Sequence, residues 1–76
     1  MALHLLDTVV LERGVPEHSL KKGDLGAIVE LYDPDGVEVE FVSGSGTTLA
    51  LLTLNREDVR PVGGSDILSV RELSLA

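Results

Sequence analysis

Residues Val37-Glu38-Val39-Glu40-Phe41-Val42 alternate apolar and acidic side chains with a period of two. That spacing predicts a strand with Val37, Val39 and Phe41 on the core face and Glu38 and Glu40 toward solvent. Leu5-Leu6-Asp7-Thr8-Val9-Val10-Leu11 is β-branched at its centre and stops before Gly14 and Pro16, predicting a first strand over 5–11. A second is expected from Leu25 to Leu31 or Tyr32, closed by Asp33-Pro34-Asp35-Gly36, where proline presets φ and glycine ends a reverse turn. Ser43-Gly44-Ser45-Gly46 reads as another hairpin loop, and Thr47 to Leu54 as a strand apolar on both sides. Leu49, Leu51 and Thr53 share one face and Ala50, Leu52 and Leu54 the other, so this strand is expected to be covered twice. Asn55-Arg56-Glu57-Asp58 suits one 3₁₀ turn before Val59-Arg60-Pro61-Val62, whose proline fits a strand edge or end.

Five short antiparallel strands in a meander, with a single turn inserted before the last, predict an all-β chain built as a small SH3-like barrel with a C-terminal extension. Leu20 is expected to turn inward and plug one end. Gly23 and Gly26 flank Asp24-Leu25 and are expected to use positive φ, letting the chain turn and then curl. The barrel takes residues 1–62, and Gly63-Gly64 starts a separate apolar extension over 63–76. In that extension Asp66, Ile67, Leu68, Val70, Leu73 and Leu75 fit a short helix after a Ser65 cap, or a strand or extended segment, the latter preferred for its alternation. In either form the extension is expected to pack on the barrel or on another subunit, because a leucine- and valine-rich stripe beyond a finished barrel does not stay wet.

A chain of 76 residues builds one domain, and a domain that small buries only about 60% of its unfolded surface. With no cysteine there is no disulfide or thiolate metal site, and His4 and His18 lack ligand spacing. No cofactor is expected, and stability is assigned to a tightly closed sheet, a partner subunit, or both. Neither a signal-peptide pattern nor a run of about 20 apolar residues is present, so the expectation is a soluble, cytoplasmic protein away from membranes. The net charge of −7 disfavours nucleic acid, and Arg13, Lys21, Lys22, Arg56, Arg60 and Arg71 are dispersed in sequence.

The segments 5–11, Pro16-Glu17-His18-Ser19-Leu20-Lys21-Lys22-Gly23-Asp24-Leu25-Gly26-Ala27-Ile28-Val29-Glu30, 37–42, 48–54 and Val59-Arg60-Pro61-Val62, taken in that order, resemble a family of small bacterial proteins, common in cyanobacteria, defined only as a domain of unknown function (DUF4926). The resemblance runs over about residues 3 to 62, through the combined spacing of Asp7, Pro16, Gly23, Gly26, Glu40-Phe41 and Arg60-Pro61, and leaves the extension outside. It implies an SH3-like barrel without assigned chemistry. The Gly23-to-Val29 turn is also similar to that of KOW-type barrels, some of which bind ribosomal RNA or protein.

No residue set points to catalysis. His18, beside Glu17 and near Asp24, lacks a nucleophile and a pocket, and reads as a surface or loop-packing residue. Asp7 reads as a structural hydrogen-bond acceptor. Asp33, Asp35 and Glu38 lack the oxygen spacing of a calcium loop and form an acidic turn. The glycine pairs at 44 and 46 and at 63 and 64 lead into no phosphate-gripping helix. Tyr32 and Phe41, the only aromatics, are too few to stack single-stranded nucleic acid, and Phe41 belongs to the core.

The leading expectation is a non-enzymatic protein-interaction module, the small antitoxin-like or accessory partner of a larger protein. Its contacts would come from Tyr32, Glu38, Glu40, Leu52, Leu54, Leu68, Val70 and Leu73. An acidic face of Glu17, Asp33, Asp35, Glu38 and Glu40 would meet the partner, and surplus leucines would drive homo-oligomer formation. Two alternatives stand beside it: an RNA-associated barrel using Lys21, Lys22, Arg56 and Arg60, and an accessory subunit of an enzyme.

Overall fold

Where β-branched and alternating residues run between proline- and glycine-containing turns, strands form. The computed structural model describes residues 2–73. It contains β1 (Thr8–Leu11), β2 (Leu25–Tyr32), β3 (Gly36–Val42), β4 (Thr48–Asn55) and β5 (Val59–Pro61), with single 3₁₀ turns at Pro16–His18 and Arg56–Asp58. All pairings are antiparallel, and the order across the sheet is β4-β3-β2-β1-β5. The chain is all-β among the described residues, with the SH3-like succession of strands and a C-terminal extension.

The long second strand serves both halves of the sheet. Its start pairs with β1, and from Ala27 onward it pairs with β3, so Ala27 faces both Thr8 and Glu40. Between Ile28 and Glu30 the register shifts, leaving Val29 as the extra residue of a bulge. A bulge bends the strand and increases local twist, which carries β1 and β5 around toward β4. One core results: Val9, Leu11, Ile28, Val37, Val39, Phe41, Ala50, Leu54 and Val59 are buried together, with Leu3, Val15 and Leu20 closing the ends. Leu20 plugs an end as its position requires, held by the isolated bridge between Val15 and Leu20.

The expected tight closure is replaced by an open sheet. No ladder joins β4 to β5 among the described residues, and these strands are its two edges. The 3₁₀ turn at Arg56–Asp58 links them, with Asp58 accepting the Asn55 amide at 3.0 Å and pairing with Arg13 at 3.0 Å.

The first strand is shorter than its apolar run. The Asp7 carboxylate accepts the His4 amide at 2.9 Å and the Asp7 amide donates to the His4 carbonyl, closing a turn before the sheet begins. Leu6 within that turn has φ +70° and, like Leu5, is exposed. Asp7 is thus an acceptor, but for its own turn and outside the strand.

Gly23 takes φ +98° as the turn demands, whereas Gly26 has no positive φ. A Cβ on Gly26 would stand 2.5 Å from Val39 Cγ1 and 2.9 Å from Phe41 Cε1. Close packing of β2 on β3, not backbone freedom, requires glycine there.

The strand Thr48–Asn55 is covered on one side only: Ala50 and Leu54 are buried and Leu52 half-buried, while Leu49 and Leu51 are 40% and 53% exposed. The extension forms neither helix nor paired strand over 66–73. Ser65 caps nothing; Gly63 to Asp66 is a turn in which the Asp66 amide bonds the Gly63 carbonyl and the Gly63 amide bonds the Asp66 carboxylate at 2.6 Å. Leu75 lies outside the described residues.

Candidate interaction groove

A groove of about 480 Å³ opens between one end of the sheet and the extension. Its floor is apolar, built from Leu20, Leu25, Phe41, Val42 and Leu49, and the extension borders it through half-buried Leu73, with Val70 at the rim almost fully exposed. These residues meet for a topological reason. The loop ahead of β2, the end of β3 and the start of β4 all fall at the same end of the sheet.

One ion pair straps the extension there. Arg71 Nε donates to Asp24 Oδ1 at 2.8 Å and Nη2 to Oδ2 at 2.6 Å, a two-pronged contact, and Nη2 also reaches the Ser19 carbonyl at 2.8 Å. The acceptors are prepared locally. Ser19 follows the Pro16–His18 turn in the left-handed region, φ +59°. Asp24 closes the Lys21–Asp24 turn, taking the Lys21 amide on Oδ2 at 2.8 Å. Planar guanidinium matches carboxylate geometry and makes such pairs stronger than single-point contacts. The Arg71 guanidinium holds the Asp24 carboxyl below its ordinary value, against partial burial, with the Lys21 amide assisting.

A second strap lies nearer the start of the extension. Arg60 on β5 binds both oxygens of Asp66 at 2.8 and 3.1 Å and lies 3.5 Å from Glu12. Arg60, then the Gly63 amide, lower the Asp66 carboxyl to about 2.

Both carboxyls thus sit below the ordinary value of about 3.9. With the extension released the protein binds more protons in that window, at Asp24 and Asp66, so docking strengthens as pH rises through it and is lost as pH falls through the lowered values. Acidification from pH 5 to below 2 is therefore expected to detach the extension. The Arg71 Nε–H signal followed by NMR checks this. An Asp24→Asn variant should show that signal already averaged at pH 7, and a signal that never changes in either protein contradicts the strap.

The remaining residues singled out in the sequence do not share one site. Tyr32 is 43% exposed and its hydroxyl donates to Glu38 at 3.4 Å. Burial, followed by the charges of Glu38 and Glu30, raises its phenol above the ordinary value. Glu38 and Glu40 lie half-buried on the outer face of β3, Glu40 accepting the Thr48 hydroxyl at 2.6 Å. Glu17 is apart from them on the first 3₁₀ turn, whereas Asp33 and Asp35 occupy the β2–β3 loop, where the Asp33–Pro34 bond is cis.

Leu54 is a core residue and Leu52 packs against the core, so neither is available as a contact. Strand parity selects the wrong pair because it cannot say which side of a doubly apolar strand faces in. The outward leucines are Leu49 and Leu51. Leu68 is exposed, and of the three extension residues only Val70 and Leu73 reach the groove.

Lys21, Lys22, Arg56 and Arg60 fall on three elements: the loop before β2, the second 3₁₀ turn and β5. Arg60 is committed to Asp66, and Arg56 follows Asn55 beside Asp35, Glu57 and Asp58 rather than joining the lysines. His18 is exposed, its amide bonded to the Val15 carbonyl. Among the described residues no three of His, Asp and Glu converge as metal ligands, and no helix is long and apolar enough to cross a membrane.

Sequence reasoning missed Asp24, Arg71, Asp66 and Ser19. Only the sign of the charges at 24 and 71, 47 positions apart, hinted at the strap, and many other pairs in the chain share that property.

Sheet order and the bulged central strand define a small all-β domain of the SH3-like kind. The chain belongs to the domain of unknown function family DUF4926, whose family model matches residues 5–61. That match spans β1 to β5 and stops before the extension, so Asp24 lies inside it and Arg71 outside. Comparison with the curated proteins and with the solved structures gives no match.

Proposed function

We propose that this protein is a non-enzymatic protein-interaction module, the small partner of a larger protein, with the groove as its principal contact. The observation that carries this reading is the groove between sheet and extension. Its apolar floor lies beside a carboxylate that already holds a segment of protein chain through Arg71, with Leu73 lining the space. A surface with that lining suits an extended polypeptide better than a small polar substrate, since it offers apolar area and one oriented charge. The net charge of −7 adds long-range attraction for a basic partner.

The test is affinity purification of tagged full-length protein from its own source, under mild salt, beside an Asp24→Ala variant. One stoichiometric protein is expected with the parent and in altered amount with the variant. Bare protein in both eluates, or RNA as the retained species, would contradict the reading; RNA would instead direct attention to Lys21 and Lys22.

A further inference from the structure

The two edges of the sheet are built differently. The β5 edge is three residues long, contains Pro61, and carries Arg60 pinned to Asp66 of the following turn. Short length, proline and a charged side chain are how edges avoid pairing with other chains. The β4 edge has none of these. It runs for eight residues, Thr-Leu-Ala-Leu-Leu-Thr-Leu-Asn, without a charge or a proline, about 27 Å of strand at ~3.4 Å per residue. Its partner on one side is β3, and among the described residues its backbone makes no backbone–backbone hydrogen bond to any other segment, Asn55 at its end donating only to the Asp58 carboxylate. Beside the edge, Leu49 and Leu51 are 40% and 53% exposed, and Val42 on the neighbouring strand is exposed too.

We infer that β4 is a self-association edge, pairing antiparallel with β4 of a second copy about a two-fold axis to join two five-stranded sheets into one. A second copy fits better than a different chain for two reasons. An antiparallel edge is complementary to itself under a two-fold axis, each copy offering the same row of donors and acceptors. The edge also has no charged position with which to select a charged partner, although a quarter of the whole chain is charged.

The net charge of −7 does not oppose this contact. The nearest acidic groups on the outer face are Glu38 and Glu40, one strand in from the edge and facing Thr53 and Leu51. Across the dimer the two β3 strands are separated by three strand spacings, about 14 Å at ~4.8 Å each, and screening at physiological salt acts within about 8 Å. Pairing places Leu49 and Leu51 of both copies in one apolar strip, relieving the exposure that the single chain leaves on this strand.

Sedimentation equilibrium of the purified full-length chain over a concentration series tests the inference, alongside amide hydrogen exchange over 48–55. The expected result is a mass rising from the 8.1 kDa of one chain to about 16 kDa, with exchange in β4 slowing as the dimer fills. Leu51→Lys puts a charge on the exposed side of the edge opposite Glu40. It should return the protein to a monomer with an unchanged circular dichroism spectrum. Leu6→Lys, at a still more exposed leucine on the segment before β1, should leave the dimer intact. A parent protein that stays at 8.1 kDa at all concentrations, or a dimer whose β4 amides exchange as fast as the monomer's and which survives Leu51→Lys, overturns it. Because purified protein alone is used, a monomeric outcome leaves the proposed partner contact at the groove unaffected.

Discussion

Phe41→Ala is expected to remove about 3–5 kcal/mol of folding stability, the usual cost of emptying a buried aromatic site. The ring is the largest fully buried side chain in the core. It pairs across the ladder with Ala50, a residue too small to fill the space, and its edge abuts Gly26. At about 0.05–0.15 kcal/mol per residue a domain of this size holds roughly 4–11 kcal/mol in all, so the variant should be largely unfolded or melt far below the parent. Urea denaturation followed by circular dichroism measures the difference. A loss under about 1 kcal/mol would mean that the ring is not part of the core. Because Phe41 also floors the groove, any folded remnant of this variant should lose the docked extension as well.

Gly26→Ala is expected to cost about 1–3 kcal/mol through overpacking, even though alanine restricts the unfolded chain and would stabilise by about 0.4–1 kcal/mol at an unstrained position. The new methyl would meet Val39 Cγ1 at 2.5 Å, Phe41 Cε1 at 2.9 Å and the Glu40 carbonyl at 3.1 Å. The backbone oxygen cannot rotate away, and both side chains are enclosed by the core. A double-mutant cycle identifies the cause: shortening Val39 to alanine removes the closest atom, so Gly26→Ala should cost at least 0.5 kcal/mol less in that background. Additive losses would mean that the glycine is needed for its backbone instead of its missing side chain.

These two sites also mark how far the chain could be read. Phe41 was legible because strict alternation over 37–42 fixes a face, and one strand with Val37, Val39 and Phe41 together has only one way to meet a core. The 3₁₀ turn before β5 and the inward Leu20 were legible for similarly local reasons. Gly26 was visible as a requirement but not as a contact: a glycine in a strand signals either positive φ or close approach, and only the position of Val39 in space distinguishes them.

The candidate site was much less legible than the fold. Val70 and Leu73 were singled out for hydrophobicity alone, and Leu52 and Leu54 were selected where Leu49 and Leu51 face outward. The Asp24–Arg71 strap could not be read at all. Its two ends enclose β2 to β5 in sequence, and their meeting depends on the curl set by the Val29 bulge and on the Gly63–Asp66 turn.

By itself the sequence determined an all-β chain, the core face of β3, the turn before β5 and the acidic balance, because each depends on interactions between residues a few positions apart. Tertiary structure alone decided that the sheet stays open, that one edge is guarded and the other bare, and that an arginine strap lays the extension over an apolar groove. Those outcomes depend on which distant residues share a boundary once the sheet curls, a geometric relation that local pattern does not contain.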